Sequence, residues 1–215
     1  MNKKDFYDKD YYENGILSGK SCYVNYRWMP EMTIKMANSI AKYLGLSSDD
    51  TVLDYGCAKG YVVKSLRILG IKAFGCDISK YAIESVDADV KEYCYLLQDA
   101  IFEVNRKYDW LLTKDVLEHM SESDIDKLLD QSIGKVRNMF HVIPLGEDGK
   151  FVVPEYHDDP SHIQIQSREW WIEKFKEHGW QTINFAYKVD GVKDNWTDKY
   201  EFGNGYFTLS TSEIL

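Results

Sequence analysis

No apolar run in the chain approaches the ~20 residues that a membrane-spanning helix needs, so no membrane association is expected. Cysteine is scarce: Cys22, Cys57, Cys76 and Cys94 are scattered, with no C-x-x-C pair. That argues against a disulfide framework or a zinc knot and leaves them as small, reduced core residues. A basic excess is missing too. Lys and Arg number 26 against 35 Asp and Glu, a net charge of -9, which disfavours sequence-independent binding to a nucleic-acid backbone. The opening M-N-K-K-D-F-Y-D-K-D has no apolar signal core, so a cytoplasmic location is expected. Internal repeats and low-complexity tracts are also lacking. What is present is 215 residues, 44% hydrophobic and 28% charged, the composition and length of one globular domain.

The stretch that organises the chain is Thr51 to Gly60, T-V-L-D-Y-G-C-A-K-G. A short apolar run ends in Asp54, small residues follow at Gly56, Ala58 and Gly60, and Val62, Val63, Leu66 and Leu69 then recur at helical spacing. Strand, tight turn and helix start is the setting in which a nucleotide-like cofactor meets an open parallel sheet. Before it, Phe6, Tyr7, Tyr11, Tyr12, Tyr23, Tyr26 and Trp28 crowd a segment without a clean period, and G-I-L-S-G-K-S reads as loop. This segment is either an arm packed on the domain or a lid with Tyr23, Tyr26 and Arg27 facing a ligand. Pro30 opens a helix with Ile34, Ala37, Ile40, Ala41 and Leu44 on one face, and Gly45 closes it.

Further strands are expected at Lys72–Asp77, Cys94–Gln98, Asp109–Thr113 and Val136–Ile143. Ser79, Ser121 and Ser167 cap the intervening and following helices. Residues 144–166 read as a long polar insertion loop, and such loops are commonly functional or mobile. Two last strands, near 181–188 and 205–211, are joined by a polar, exposed link and are close enough to pair antiparallel. Alternation of strand and helix implies a parallel central sheet covered on both faces. The expected organisation is a single domain: an aromatic arm and helix (1–48), a cofactor-binding core (49–143), the insertion (144–166) and a C-terminal helix and strands (167–215).

In such a sheet ligands sit outside the carboxyl ends of the strands. Those ends carry Asp54 to Gly60, Asp77, Gln98 with Asp99, Lys114 with Asp115, and Pro144. Asp77 follows Gly60 at about the spacing of an acid that meets a ribose diol; its alternative role is as part of a helix cap at Ser79.

V-L-D-Y-G-C-A-K-G, G-C-D-I-S, L-Q-D-A and D-W-L-L-T-K-D-V-L-E-H-M together resemble the successive motifs of class I S-adenosylmethionine-dependent methyltransferases. The resemblance implies a Rossmann-like α/β fold, a seven-stranded, mostly parallel sheet with an antiparallel last strand and helices on both faces. It implies S-adenosylmethionine as cofactor and S-adenosylhomocysteine as product. It places Asp54, Gly56, Ala58 and Gly60 at the methionyl part of the cofactor, Asp77 on the ribose, Ile78 on adenine, and Asp99 with Ala100 at the adenine amino group. The position of Lys114 lies near the methionyl end, where a smaller residue is usual. The aromatic arm is similar to those of bacterial small-molecule methyltransferases acting on sugars or surface-glycan precursors.

Methyl transfer needs nucleophile, carbon and sulfur in line, so catalysis is largely orientation. A hydroxyl acceptor also benefits from a base, and histidine suits it. The candidates, in order, are His162, His119 and His157. His157, Asp158, Asp159 and His162 could also ligate a metal, but their spacing fits no closed zinc pattern and D-D-P is a common turn, so no metal is expected. The acceptor expected is a small polar metabolite, methylated on oxygen, with the enzyme a monomer or homodimer. N-methylation, methylation of RNA or protein, or cofactor binding without catalysis are the alternatives.

Overall fold

The computed structural model describes residues 3–97 and 106–211. These form two compact units, 3–97 with 158–161 and 106–157 with 162–211.

In the first unit the first half of the aromatic segment is helical, including Gly15–Ser18 of the stretch expected to be loop. It holds α1 (Lys3–Phe6), α2 (Lys9–Glu13) and α3 (Gly15–Ser18). Asp8 caps α2 by accepting the Tyr11 N–H at 3.1 Å. Gly15 is required because a Cβ there would lie 2.0 Å from Ser21 Oγ. Helices of one turn carry no readable hydrophobic period, and tertiary packing rather than propensity sustains them. That packing is aromatic: Tyr7, Tyr11 and Tyr12 are buried with Ala82, against Phe6, Tyr26, Ala58, Ile78 and Tyr81.

Helix α4 (Pro30–Leu44) follows, its buried side chains including Ala37, Ile40 and Ala41 and its end closed by left-handed Gly45 at φ 67°. Next come β1 (Thr51–Tyr55), α5 (Tyr61–Ile68), β2 (Lys72–Asp77), α6 (Lys80–Glu84) and β3 (Cys94–Leu96). β1 pairs parallel with β2, and β2 with β3. Gly75 in β2 permits the close approach of the glycine-rich turn. A Cβ there would sit 2.7 Å from Cys57 Sγ and 2.8 Å from Val63 Cγ2. Cys57, Cys76 and Cys94 are buried as expected, but Cys22 is exposed in the arm, because its one-turn helices leave part of the segment facing solvent. Partial burial, with Asp158 and Asp159 nearby, pushes the Cys22 thiol pKa up. The third strand ends at Leu96; the sequence reading carried it to Gln98, which lies outside the described residues.

The second unit contains β4 (Tyr108–Lys114), α7 (Glu122–Ser132), β5 (Val136–Pro144), β6 (Gly146–Glu147), β7 (Lys150–Phe151), α8 (Arg168–Glu177), β8 (Trp180–Ala186), α9 (Asp194–Thr197) and β9 (Asn204–Thr211). Ser121 and Ser167 cap α7 and α8, each accepting an N–H at 3.2 Å. β4 and β5 are parallel, while β9 runs antiparallel to both β5 and β8. The strand order is β3-β2-β1-β4-β5-β9-β8, the mixed seven-stranded sheet anticipated.

Residues 144–166 are not the open loop expected. They fold into the β6–β7 hairpin and a 3₁₀ turn, Pro154–Asp158, with Phe151, Val153 and Tyr156 buried. The hairpin turn is Asp148–Gly149, with φ of 48° and 75°. Asp-Gly is the pair that a two-residue turn with both central φ positive favours. The 190–199 link is likewise part of the packing: Val192 is fully buried, and the Tyr206 hydroxyl donates to its carbonyl at 2.6 Å.

Gly75→Ala should therefore lower stability by about 1–3 kcal/mol, the usual range for overpacking a core. Urea unfolding at neutral pH measures this, and an unchanged midpoint would mean that Cys57 and Val63 yield freely.

Candidate active site

In the first unit the site grows from the turn between β1 and α5. Gly56, Ala58 and Gly60 all have positive φ, 81°, 48° and 73°, and Ala58 takes this strain where glycine would not. The N–H groups of Gly56 and Cys57 both donate to the Cys76 carbonyl, at 2.8 and 3.0 Å, locking the turn onto the end of β2. Gly60 supplies no side-chain cap to α5, so the first amides of that helix remain for a ligand. Asp54 is buried at the end of β1.

Asp77, at the end of β2, is buried. Its Oδ2 accepts the Ala58 N–H at 2.8 Å and its Oδ1 the Ser79 N–H at 2.7 Å. Burial lifts its pKa to about 6, against the pull of the Ser79 and Ala58 amides. Each oxygen keeps a second lone pair, which is what two adjacent hydroxyls require. Ile78 and Ala58 beside it are half-buried against the aromatic cluster. Helix capping at this strand end falls to the neighbour: Ser79 Oγ accepts the Ala82 N–H at 3.0 Å and donates to the Tyr7 carbonyl at 2.5 Å. Tyr26 packs with the arm, Tyr23 is exposed at its rim and Arg27 is exposed. Asp99 and Ala100 lie outside the described residues.

In the second unit, Lys114 ends β4 and Asp115 follows in the left-handed region at φ 55°. The Asp115 carboxylate accepts from Lys114 Nζ and Lys193 Nζ, each at 2.5 Å. Burial works against its ionisation, but the two ammonium groups outweigh it and hold the carboxyl well below the usual range. Lys114 is thus committed to an ion pair.

A 3₁₀ turn, Leu117–His119, comes next. Glu118 in it is fully buried, and neither carboxylate oxygen has a hydrogen-bond partner among the described residues. Burial, with Asp115 nearby, pushes its pKa well up. The rings of His119 and His162 stand 4.5 Å apart. His162 Nδ1 lies 2.6 Å from the Tyr156 carbonyl. A carbonyl only accepts, so Nδ1 carries the proton and Nε2 presents a lone pair. His157 is used otherwise: its Nε2 accepts the Phe151 N–H at 3.1 Å, tying the 3₁₀ turn to the hairpin.

A family model described as Methyltransferase domain matches residues 31–185. The chain belongs to this family. It is an S-adenosylmethionine-dependent methyltransferase. Among solved structures it is similar to Haemonchus contortus phosphoethanolamine N-methyltransferase 2 in complex with S-adenosyl-L-methionine, at TM-score 0.70 and 14% identity over 98% of this chain and 60% of that one. It is similar to the glycopeptide N-methyltransferase MtfA complexed with sinefungin, at TM-score 0.61 and 12% identity over 83% and 86%. It is also similar to the mitomycin 7-O-methyltransferase MmcR, at TM-score 0.61 and 12% identity over 84% and 54%. At these identities the likeness establishes the fold. No curated protein matches the sequence.

The methyltransferase contains two contributors that the sequence reading passed over. Lys59, inside the glycine turn, is buried, and its ammonium bonds the Glu13 carboxylate and, at 2.8 Å, the Tyr26 carbonyl. The Tyr81 hydroxyl donates to Glu13 at 2.8 Å. The arm is therefore fastened to the glycine turn by charge as well as by rings. The signal was a lysine standing where a turn among small residues needs none. Glu118 was the second: it was quoted only as part of a motif, and its isolation from partners is visible only in three dimensions.

Glu13→Gln should cost about 1.5–3 kcal/mol, the range for a hydrogen bond to a charged group, read as a shifted urea midpoint. On the expectation that Asp77 holds the ribose diol, cofactor affinity should depend on pH. The folded Asp77 pKa of about 6 lies above the ordinary ~4, so the folded state holds the extra proton between them. Stability from this group therefore falls as pH rises through that window and is flat above it. The ionised carboxylate is the better acceptor for two hydroxyls, so S-adenosylmethionine affinity should weaken as pH falls below about 6, approaching tenfold per unit. Calorimetry between pH 5 and 8 tests this, with Asp77→Asn expected to bind weakly at every pH.

Proposed function

We propose that this methyltransferase acts on a small polar acceptor, at oxygen, with the His119–His162 pair facing the acceptor. The observation that carries the reading is the fixed tautomer of His162, whose Nδ1–H is spent on the Tyr156 carbonyl and whose Nε2 can take a proton. Imidazole is the side chain most often used to remove a hydroxyl proton. His157 is left out, because its Nε2 already accepts a backbone amide.

The cofactor supplies an activated methyl group when bound. The chain's own residues supply the rest. Asp77 and the Gly56–Gly60 turn hold the nucleoside and methionyl parts, Ile78 lies against the adenine, and Asp99 with Ala100 reads its amino group. Tyr23, Tyr26 and Arg27 line the acceptor's side of the arm. Lys114, paired with Asp115, sets the charge near the methionyl end rather than binding a carboxylate directly.

A small acceptor accords with the net charge of -9 and with the neighbours, whose names record activity on mitomycin, a glycopeptide and phosphoethanolamine. Sugars and nucleotide-linked sugars of surface-glycan assembly are the favoured class, in the cytoplasm, with the enzyme a monomer or homodimer. Two of those neighbours are N-methyltransferases, so an amine acceptor is the second reading.

Labelled methyl transfer from S-adenosylmethionine, with small metabolites, RNA and protein offered separately, should place label in the small-metabolite fraction. Analysis of the product separates oxygen from nitrogen. His162→Gln should cut turnover about 10²–10⁴-fold, the usual contribution of a positioned base, with cofactor affinity unchanged. Label in RNA or protein would overturn the acceptor class, and normal turnover by His162→Gln would remove the base.

A further inference from the structure

We infer that Glu118, His119 and His162 form a binding site for a divalent transition-metal ion. One ligand atom from each, a carboxylate oxygen and two imidazole nitrogens, lies within 4.8 Å of the others. Around a tetrahedral ion at about 2.1 Å from its ligands, donors stand about 3.4 Å apart, so separations of up to 4.8 Å would close by up to about 1.4 Å on binding.

Three further observations point to a cation. Glu118 is 0% exposed and both its oxygens lack a hydrogen-bond partner among the described residues. A buried carboxylate in that state is costly unless a charge meets it. The Nδ1–H of His162, held by the Tyr156 carbonyl at 2.6 Å, is the outer hydrogen bond that orients a ligating imidazole and frees Nε2. The backbone also brings the two segments together without help from the ligands: the carbonyl of Glu118 accepts the N–H groups of Ile163 and Gln164 at 2.8 and 3.0 Å. His162 is thus placed beside Glu118 and His119 before any ion arrives.

The donor set selects the ion. Two nitrogens and one oxygen suit Zn²⁺, Mn²⁺ or Fe²⁺ better than Mg²⁺ or Ca²⁺, which prefer oxygen throughout. Three protein ligands leave coordination positions open, as catalytic rather than structural sites do. An oxygen of the acceptor would fill one, and the ion would ease loss of its proton. That role rests on the methyl-transfer reading above; the binding does not. An ion on Nε2 takes the lone pair that His162 would use as a base, so His162 is the base only in the metal-free protein, and with an ion bound the loss of the acceptor's proton passes to the ion.

Untagged protein, stripped with chelator and dialysed, would be titrated with Zn²⁺, Mn²⁺ and Mg²⁺ alone, with metal content measured after desalting. One equivalent of Zn²⁺ or Mn²⁺ is expected, with Mg²⁺ at least tenfold weaker on the order-of-magnitude preference of imidazole donors. Glu118→Gln and His162→Gln should each lower the affinity by about 100-fold or more, at or beyond the upper end of outer-shell losses, while His157→Gln should not. Binding below one equivalent, or unchanged affinity in both ligand variants, overturns the site. Should Glu118→Gln lose its circular dichroism, the half-buried His162 variant decides alone. Labelled methyl transfer to the small-metabolite fraction is the separate arm. Methyl transfer to a small metabolite without metal binding sinks the cation site only, and metal binding without transfer to any small metabolite sinks the acceptor reading only.

Discussion

A carboxylate removed from water must be met by donors or it will not stay ionised, and Asp77 is where this chain accepts that constraint. Its two oxygens are held by the amides of Ala58 and Ser79. One amide belongs to the glycine turn after β1 and the other to the start of α6, so a single side chain ties together both ends of the first strand–helix–strand crossover. Much else follows from it. Ala58 must adopt a left-handed backbone to aim its N–H, and Gly75 must lack a side chain so that the turn can lie close. The arm's tyrosines then pack against Ala58 and Ile78, and burial raises the Asp77 carboxyl's pKa from its ordinary value.

The end of β4 shows the same physics with two outcomes a few residues apart. Asp115 is surrounded by cations and stays charged. Glu118 is deeper, has no side-chain hydrogen-bond partner among the described residues, and is pushed toward its neutral form. Neighbouring acids with separated proton affinities mark places where a protein does chemistry more often than places where it merely folds. Lys193 contributes here from a left-handed position of its own, at φ 59°, on a link that reads as solvent-exposed in one dimension.

The core was legible because its signals are local. Thr51–Gly60 and Asp77 announce a strand, a tight turn and a second strand end through glycine spacing and an acid at a strand end, and Pro30, Gly45, Ser79, Ser121 and Ser167 mark helix ends by their own chemistry. The arm and the 144–166 segment were not legible. Helices of four or five residues and strands of two are too short for periodicity to register, and what holds them is the meeting of Tyr7, Tyr11 and Tyr12 with α6, or of Phe151 with Tyr156. The Asp148–Gly149 pair was a hairpin signal, overlooked because no long alternating run flanks it. The histidines were singled out by type, but what distinguishes them is single hydrogen bonds, Nε2 of His157 to a backbone amide and Nδ1 of His162 to a carbonyl, which no spacing rule encodes. Lys59 and Glu13 are 46 positions apart, and nothing in the sequence announces that they meet.

Cys22 carries a practical consequence. With Cys57, Cys76 and Cys94 buried, it is the one thiol that solvent-borne reagents reach, and it sits in the aromatic arm. A maleimide fluorophore would therefore attach at a single native position without mutagenesis, slowly, because partial burial and then the neighbouring carboxylates of Asp158 and Asp159 disfavour the thiolate. The arm comes with its own optical handle, and emission from that dye would report in real time whether it lifts and settles as ligands come and go.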